Sequence, residues 1–138
     1  MIRTYWKAGV LLGILLWCLA GCSRGGADLL DVGVDLAIEP QPPQLGPATI
    51  TVILTDANGL PISGAEVTLE GNMSHAGMAP VFADATEVSQ GSYQAELEFT
   101  MGGDWFIIVS AALPDGRSME RTIDVPGVDA ICGNTPTP

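Results

Sequence analysis

Apolar and polar side chains alternate along several short stretches of the chain. The clearest alternation places Tyr93, Ala95, Leu97 and Phe99 on one side of a segment whose other side carries glutamine and glutamate. A period of two is typical of a β-strand with one buried face. The stretch 105–111 is apolar almost throughout, which predicts a strand in the middle of a sheet. The predicted strands cover residues 30–38, 48–56, 65–70, 81–89, 93–99, 105–111 and 117–125.

Turn signals separate these strands at spacings of about eight to twelve residues. Asn58-Gly59 and Pro114-Asp115-Gly116 are typical of tight turns, because glycine and asparagine tolerate a positive φ and proline fixes its own φ. The pattern predicts an all-β fold, an Ig-like seven-stranded antiparallel β-sandwich that follows an N-terminal signal peptide.

The N-terminal segment has the pattern of an export signal. Arg3 and Lys7 precede an apolar run over residues 8–20, which is too short to cross a bilayer of about 30 Å comfortably. The run leads into Leu-Ala-Gly-Cys, which ends at Cys22 and resembles the bacterial lipobox. We therefore expect residues 1–21 to be removed and Cys22 to become a lipidated N-terminus. An uncleaved anchor helix is the alternative.

The predicted organisation has four parts. They are a lipoprotein signal peptide (1–21), a flexible tether (22–28), the Ig-like β-sandwich (29–126) and a disordered tail (127–138). Lipid chains on Cys22 would hold the domain on the extracytoplasmic face of the cell membrane. Cys132 would then be the only other cysteine, so no intramolecular disulfide is expected. Cys132 is interpreted as an exposed tail residue, with a reactive or metal-binding thiol as the alternative.

The chain is strongly acidic, with a formal net charge of −11. A surface of this charge repels nucleic acid and anionic lipid head groups, and it favours cations or a basic partner protein. Solubility alone would also explain most of the acids. The sequence therefore predicts no nucleic-acid partner.

Groups suited to catalysis are scarce. The chain has one histidine, and its only lysine, Lys7, falls in the predicted signal peptide. It contains no Gly-x-Ser-x-Gly elbow, phosphate-binding loop or His-Glu-x-x-His helix. Glu96 and Glu98 alternate with apolar residues, so they are interpreted as solvated charges on an outward strand face. We expect that the protein is not an enzyme.

A glycine-bounded loop over residues 71–80 holds Met73, His75 and Met78. Thioether and imidazole ligands suit Cu(I), a soft ion, whereas an oxygen-preferring ion gains nothing from methionine. Met73 and His75 point the same way in an extended segment, and a bend at Gly77 would bring Met78 towards them. The loop is therefore a candidate copper site. The alternative is that the methionines fill gaps at the end of the sandwich, with His75 hydrogen-bonded at its rim.

Two further segments resemble a known family. A Gly-Ser-Tyr turn ends at Tyr93, and a Phe-x-Met-x-Gly-x-Trp segment begins at Phe99. With the Met-x-His-x-x-Met loop and the last strand, they resemble the YtkA-like domain over residues 71–125, which is related to FixH-like proteins and to CopC copper-resistance modules. The resemblance implies an extracytoplasmic Ig-like β-sandwich, often a lipoprotein, that occurs near copper handling and cytochrome oxidase assembly. It adds Met101 to the candidate copper ligands.

Two functions remain open on these grounds. The first is a lipid-anchored Cu(I) chaperone or reservoir whose metal ligands are Met73, His75, Met78 and Met101. The second is a metal-free Ig-like interaction module that docks a membrane protein complex or transporter, with the loop as its contact surface. Trp105 is interpreted as a core residue that opens an apolar strand, and a lid over the metal is the alternative.

Overall fold

The computed structural model describes residues 31–75 and 77–130 of the 138-residue chain. The strands are β1 (Gly33–Glu39), β2 (Gly46–Thr55), β3 (Glu66–Met73), β4 (Val81–Ser89), β5 (Ser92–Phe99), β6 (Gly103–Ala112) and β7 (Ser118–Val128). All seven predicted strands are present, and β4 has its predicted bounds. Across this part of the chain, no helix has the length and apolar character needed to cross a membrane. The predicted signal peptide, Cys22, the tether and Cys132 lie outside the described residues.

The strands form one hydrogen-bonded sheet in the order β1-β2-β5-β4-β3-β6-β7, and neighbouring strands are antiparallel. Strand β4 joins two halves of this sheet, because residues 81–85 pair with β3 whereas residues 86–89 pair with β5. The sheet folds over at this switch and encloses a core between its halves. The predicted all-β, Ig-like sandwich is confirmed, and the apolar strand β6 lies between two others as expected.

Alternate residues of the strands pack into the interior. On β5, Tyr93, Ala95, Leu97 and Phe99 are buried as predicted, and the glutamine and glutamates between them are exposed. The rings of Phe99 and Trp105 meet edge to face, with their centroids 5.2 Å apart and their planes at 78°. Aromatic side chains bury large apolar areas, so this pair contributes strongly to the core.

Gly71 of β3 gives the indole ring of Trp105 room in the core. A Cβ atom at Gly71 would stand 3.2 Å from both Leu97 methyl carbons and 3.6 Å from Cζ3 of Trp105. Because Leu97 belongs to the other half of the sheet, the glycine lets the two halves approach closely at this level. Trp105 is 2% exposed, so its interpretation as a core residue is confirmed.

The first and last strands, β1 and β7, leave a groove between them. Apolar side chains of both strands line it, including Ile38 and Val125, and its volume is about 280 Å³. A short parallel bridge closes one end of the groove. There the Leu45 N–H donates to the Asp129 carbonyl, and the Asp129 N–H donates to the Pro43 carbonyl, both at 2.9 Å.

The strand directions give the sandwich two distinct ends. The tether end comprises the start of β1 and the connections 56–65, 90–91 and 113–117. The loop end comprises the end of β7 and the connections 40–45, 74–80 and 100–102. The N-terminal segment therefore joins the sandwich at the end opposite the Met/His loop.

Tyr93 holds the long connection at the tether end. Its hydroxyl donates to the Ile62 carbonyl at 2.7 Å and accepts the Ala65 N–H at 3.0 Å. The ring is fully buried, so these bonds satisfy a hydroxyl that would otherwise be costly to bury. The connection is thereby fixed to β5 just before β3 begins.

Glu87 joins two turns of the tether end through one carboxylate. The Gly64 N–H donates to its Oε2 at 2.9 Å, and the Gly91 N–H donates to its Oε1 at 3.1 Å. Both donors stabilise the charged form, and the Gly64 N–H has the larger effect. They hold the pKa of the Glu87 carboxyl below its ordinary value.

Arg117 links the start of the described chain to the turn between β6 and β7. Its guanidinium lies 2.7 Å from the Asp31 carboxylate and 2.8 Å from the Asp115 carboxylate. The backbone N–H of Arg117, followed by its guanidinium, lowers the pKa of Asp115. Both ion pairs are substantially exposed, so they orient the segment more than they stabilise the fold.

The structure extends two of the predicted strands by three residues each at their C-terminal ends. Residues 71–73, assigned to the loop from the sequence, belong to β3, because the strand continues until Met73 pairs with Trp105 of β6. The last strand, predicted to end at residue 125, continues to Val128.

Candidate metal site at the loop end

Three of the four methionines in the described residues lie at the loop end with the protein's only histidine. Met73 ends β3, His75 and Met78 lie in the connection to β4, and Met101 lies in the β5–β6 turn. The fourth methionine, Met119, is buried in β7. The fold therefore brings all four predicted metal ligands to one end of the sandwich.

Met73 has the most buried position of the four. It lies on the inner side of β3, in line with Val67 and Leu69, and packs against the core. Its Cε atom lies 3.5 Å from the place that a Cβ atom would occupy at Gly103. The Met73 side chain thus fills space between the β3–β4 and β5–β6 connections, as in the packing alternative.

His75 and Met78 lie on the surface of the β3–β4 connection. His75 is exposed, and Met78 is 38% exposed. A backbone hydrogen bond of 3.3 Å, from the Ser74 N–H to the Asp104 carbonyl, joins the start of this connection to β6. The connection is anchored where it leaves β3, and its imidazole and thioether are accessible to a ligand from solvent.

Met101 has a fixed backbone and an exposed side chain. The indole N–H of Trp105 donates to the Met101 carbonyl at 2.9 Å, which ties the turn to the buried ring. The Met101 side chain is 47% exposed. The turn therefore presents a thioether at the loop end while its backbone is held by the core.

Two carboxylates that no sequence motif marks lie beside the loop. Asp104 and Asp124 line a cavity of about 280 Å³ together with Ser74 and Pro126. The Gly127 N–H donates to Oδ1 of Asp104 at 3.0 Å, which fixes this carboxylate. The sequence gives little sign of the pair, because Asp104 reads as a turn residue and Asp124 as an outward strand position. Their charge favours a cation at the loop end.

The accessible donors fit a soft metal ion by type. Two exposed thioethers and one imidazole match the ligand preference of Cu(I). Within residues 31–75 and 77–130, no three His, Cys, Asp or Glu side chains are grouped so that they could hold a metal ion. This absence applies to imidazole, thiolate and carboxylate ligands and does not include methionine sulfur.

Comparison with known proteins gives one match. A family model described as YtkA-like matches residues 27–110, which is more than half of the chain. The match begins well before residue 71, where the resemblance seen in the sequence starts, and it ends before β7. No curated protein matches the chain. The FixH and CopC relationships remain predictions.

Proposed function

The chain belongs to the YtkA-like family, and from this premise we propose that it is a lipid-anchored extracytoplasmic module that binds Cu(I) at the loop end of its sandwich. It acts as a copper chaperone or reservoir linked to copper homeostasis or cytochrome oxidase assembly. No catalytic step is assigned to it.

The gathering of methionine and histidine at one end carries this proposal. Met78, Met101 and His75 come from two connections that are far apart in sequence, and antiparallel pairing places both at the same end. Exposed methionines are unusual in a surface that serves only solubility, because the thioether is apolar and is more often buried. Met73 adds a further sulfur at the same end of the sandwich, where it packs against the core.

The proposed ligands differ in their roles. Met78, Met101 and His75 bind the ion directly from accessible positions. Met73 closes the inner side of the site and orients the two connections. Such a site exchanges metal readily, because thioether ligands are neutral and three of its donors lie on surface connections.

The placement of the anchor supports a transfer role. Lipidation at Cys22 would tether the sandwich by the end at which β1 begins, so the copper site would face away from the membrane. The site would then be open to the extracytoplasmic part of a copper donor or acceptor. A Cys22→Ser variant should leave the membrane fraction of cells and lose incorporated fatty acid.

Copper binding is tested by titrating Cu(I) into residues 23–138 in competition with a chromogenic chelator. All samples carry Cys132→Ser, so that no thiol dominates the result. The His75→Ala/Met78→Ala double variant should bind at least about tenfold more weakly than its parent, since it loses two of the donors suited to Cu(I). Met101→Leu should also weaken binding.

The matched control is Met119→Leu, which removes a methionine that is buried away from the loop end. It should bind copper as its parent does. If the parent and the double variant compete equally poorly with the chelator, the copper function is wrong. The interaction module without metal then becomes the better account of this chain.

A further inference from the structure

The outer surface of β4, β3 and β6 carries an apolar patch around one carboxylate. Phe82 of β4 and Ile108 of β6 are both register partners of Glu70 on β3, and Phe106 is the partner of Asn72, two residues along β3. Residues directly opposite each other in a sheet project from the same face. Glu70 therefore lies between two large apolar side chains, with a third on the diagonal.

Glu70 is held in place within this patch. The Asn72 Nδ2 donates to Glu70 Oε1 at 3.1 Å, and Glu70 is half-buried. Phe82 beside it is 63% exposed, which makes it one of the most exposed large apolar side chains in the described residues. An ordered carboxylate and an accessible aromatic ring thus stand side by side.

Acidic side chains surround the patch. Outward positions on β3 and β4 carry Glu66 and Asp84, and outward positions on the neighbouring strand β7 carry Glu120 and Asp124. A depression of about 480 Å³ between β3 and β4 is lined partly by Glu66 and Asp84. We call the apolar patch and its acidic surround the Phe82 face, which comprises Glu66, Glu70, Phe82, Asp84, Phe106, Ile108, Glu120 and Asp124.

Neither of the two described arginines projects outward from the strands of this face. Arg117 lies at the tether end with Asp31 and Asp115. Arg121 is the register partner of Val109, a core residue, so it belongs to the inner side of β7. The Phe82 face therefore combines an apolar centre with a net negative charge.

The outer face of the other half has a different composition. On β2 the outward side chains are Pro47, Thr49, Thr51, Ile53 and Thr55. On β5 they are mainly glutamine and glutamate. Both outer faces are acidic, but among these strands only the Phe82 face has outward aromatic side chains, the exposed Phe82 and the half-buried Phe106. Solubility explains a polar acidic face, and it does not explain two phenylalanines on the outside of a sheet.

We propose that the Phe82 face binds a basic segment of a partner protein, with an arginine of that segment on Glu70. Arginine suits this position because its planar guanidinium can bind a carboxylate through two hydrogen bonds and stack on an aromatic ring. Apolar residues that flank the arginine would cover Phe106 and Ile108. An apolar centre with a charged rim is the usual organisation of a protein interface.

The negative charge of the Phe82 face favours a basic protein segment over a second copy of this chain, nucleic acid or anionic lipid. A second copy of this chain would bring two acidic faces together, and like charges across an interface oppose association. Nucleic acid and anionic lipid are repelled for the same reason. A basic protein segment is the occupant whose charge complements the face.

A labelled synthetic peptide with the sequence Arg-Phe-Arg-Leu-Arg-Phe-Arg tests the proposal, with the full chain purified in a neutral detergent. Fluorescence anisotropy measures binding at low and at physiological salt. Glu70→Gln and Phe82→Ser should each weaken binding by about tenfold, as expected for residues at the centre of an interface. Binding should also weaken with added salt, because the attraction is partly electrostatic.

Matched variants on the other outer face separate this site from general charge attraction. Glu96→Gln removes an equivalent charge, and Ile53→Ser removes an apolar side chain that is 43% exposed. Both should bind the peptide within about twofold of the parent, because they leave the Phe82 face intact. A peptide with glutamate in place of arginine, and one with serine in place of phenylalanine and leucine, should bind far more weakly.

Three kinds of outcome would overturn the proposal. One is equal weakening by Glu70→Gln and Glu96→Gln, which would show that the peptide follows net charge alone. A second is that the arginine peptide binds Phe82→Ser as tightly as the parent, or that it does not bind the parent at all. The third is a dimer in sedimentation measurements that Phe82→Ser abolishes, which would assign the face to self-association.

Discussion

The tether end and the loop end of this sandwich are built in different ways. At the tether end, Tyr93 and Glu87 bind backbone groups of neighbouring turns, and Arg117 pairs with two carboxylates. At the loop end, His75 and Met78 are exposed on a connection that is anchored mainly where it leaves β3. Side chains hold the connections of the tether end in place, whereas at the loop end the side chains of His75, Met78 and Met101 are left accessible to a ligand. Substitutions at the tether end should therefore change stability, and substitutions at the loop end should change binding.

Gly91→Ala should have the largest effect on stability. Gly91 has a φ of +70°, and a Cβ atom there would stand 2.6 Å from Pro61 Cβ and 2.9 Å from the Leu54 carbonyl oxygen. Steric overlap and the left-handed backbone together should lower the free energy of unfolding by about 2–4 kcal/mol. Urea unfolding followed by tryptophan fluorescence measures the change.

Gly116→Ala is the control for Gly91→Ala. Gly116 also lies at the tether end with a positive φ, of +87°, but nothing stands within 4 Å of its Cβ position. The free energy of unfolding of Gly116→Ala should fall by only about 1 kcal/mol, because backbone strain is the only cost. Equal losses in both variants would mean that the turns of the tether end are not tightly packed.

Tyr93→Phe should have the next largest effect. The variant keeps the buried ring but leaves the Ile62 carbonyl and the Ala65 N–H without the hydroxyl that now bonds to both. The free energy of unfolding should fall by about 1–3 kcal/mol, the usual cost of removing one partner from buried polar groups. Thermal unfolding by circular dichroism measures the change, and a loss below 0.5 kcal/mol, roughly the scatter of surface substitutions, would contradict this role of the hydroxyl.

Glu87→Gln should have a smaller effect that depends on pH. The pKa of Glu87 is lower in the folded state than its ordinary value of 4.5, because Gly64 and Gly91 donate to the carboxylate. The stability from this carboxylate is therefore fully present above pH 4.5, and it is lost as the pH falls through the lower folded pKa. The variant should be less stable than its parent at pH 7, and the difference should shrink below pH 4.5.

Unfolding midpoints in urea between pH 2 and pH 7 measure this trend. The same change at the exposed residue Glu96 reports the effect of removing one negative charge from a strand face. If the stability difference between Glu87→Gln and its parent stayed constant down to pH 2, the charged Glu87 carboxylate would not be what stabilises the Gly64 and Gly91 turns.

The His75→Ala/Met78→Ala variant should have the smallest effect on stability. Both side chains are exposed, and surface substitutions usually change stability by no more than about 0.5 kcal/mol. Urea unfolding without metal should therefore be nearly unchanged. A large loss would show that the loop end contributes to the fold as the tether end does, and the contrast between the two ends would be wrong.

Most of the fold could be predicted because each strand carries a local signal. The alternation from Tyr93 to Phe99 gives both the strand and its buried side, and β4 has its predicted bounds. The start of the β3–β4 loop was misplaced by three residues, because β3 continues through long-range pairing with β6. The sequence pattern of one strand does not indicate which strand pairs with it. For the same reason, the change of β4 from pairing with β3 to pairing with β5 could not be predicted.

The candidate site could be predicted only in part. Met73, His75 and Met78 stand close together in the sequence, so their residue types were visible as a possible ligand set. Met101 entered through family resemblance, and the fold brings it to the same end. The inward direction of Met73 follows from its place on β3, whose extension was not predicted. The Phe82 face has no sequence signature, because Phe82, Glu70 and Ile108 become neighbours only across three strands.

The position of β1 determines how the protein would respond to mechanical force. The N-terminal segment leads into β1 at the tether end, and β1 pairs with β2 along its whole length, from Gly33 opposite Thr55 to Glu39 opposite Thr49. A pull between a membrane and a partner at the loop end would run parallel to this strand pair. All of its hydrogen bonds would then share the load in shear, whereas a pull across the strands would break them one after another.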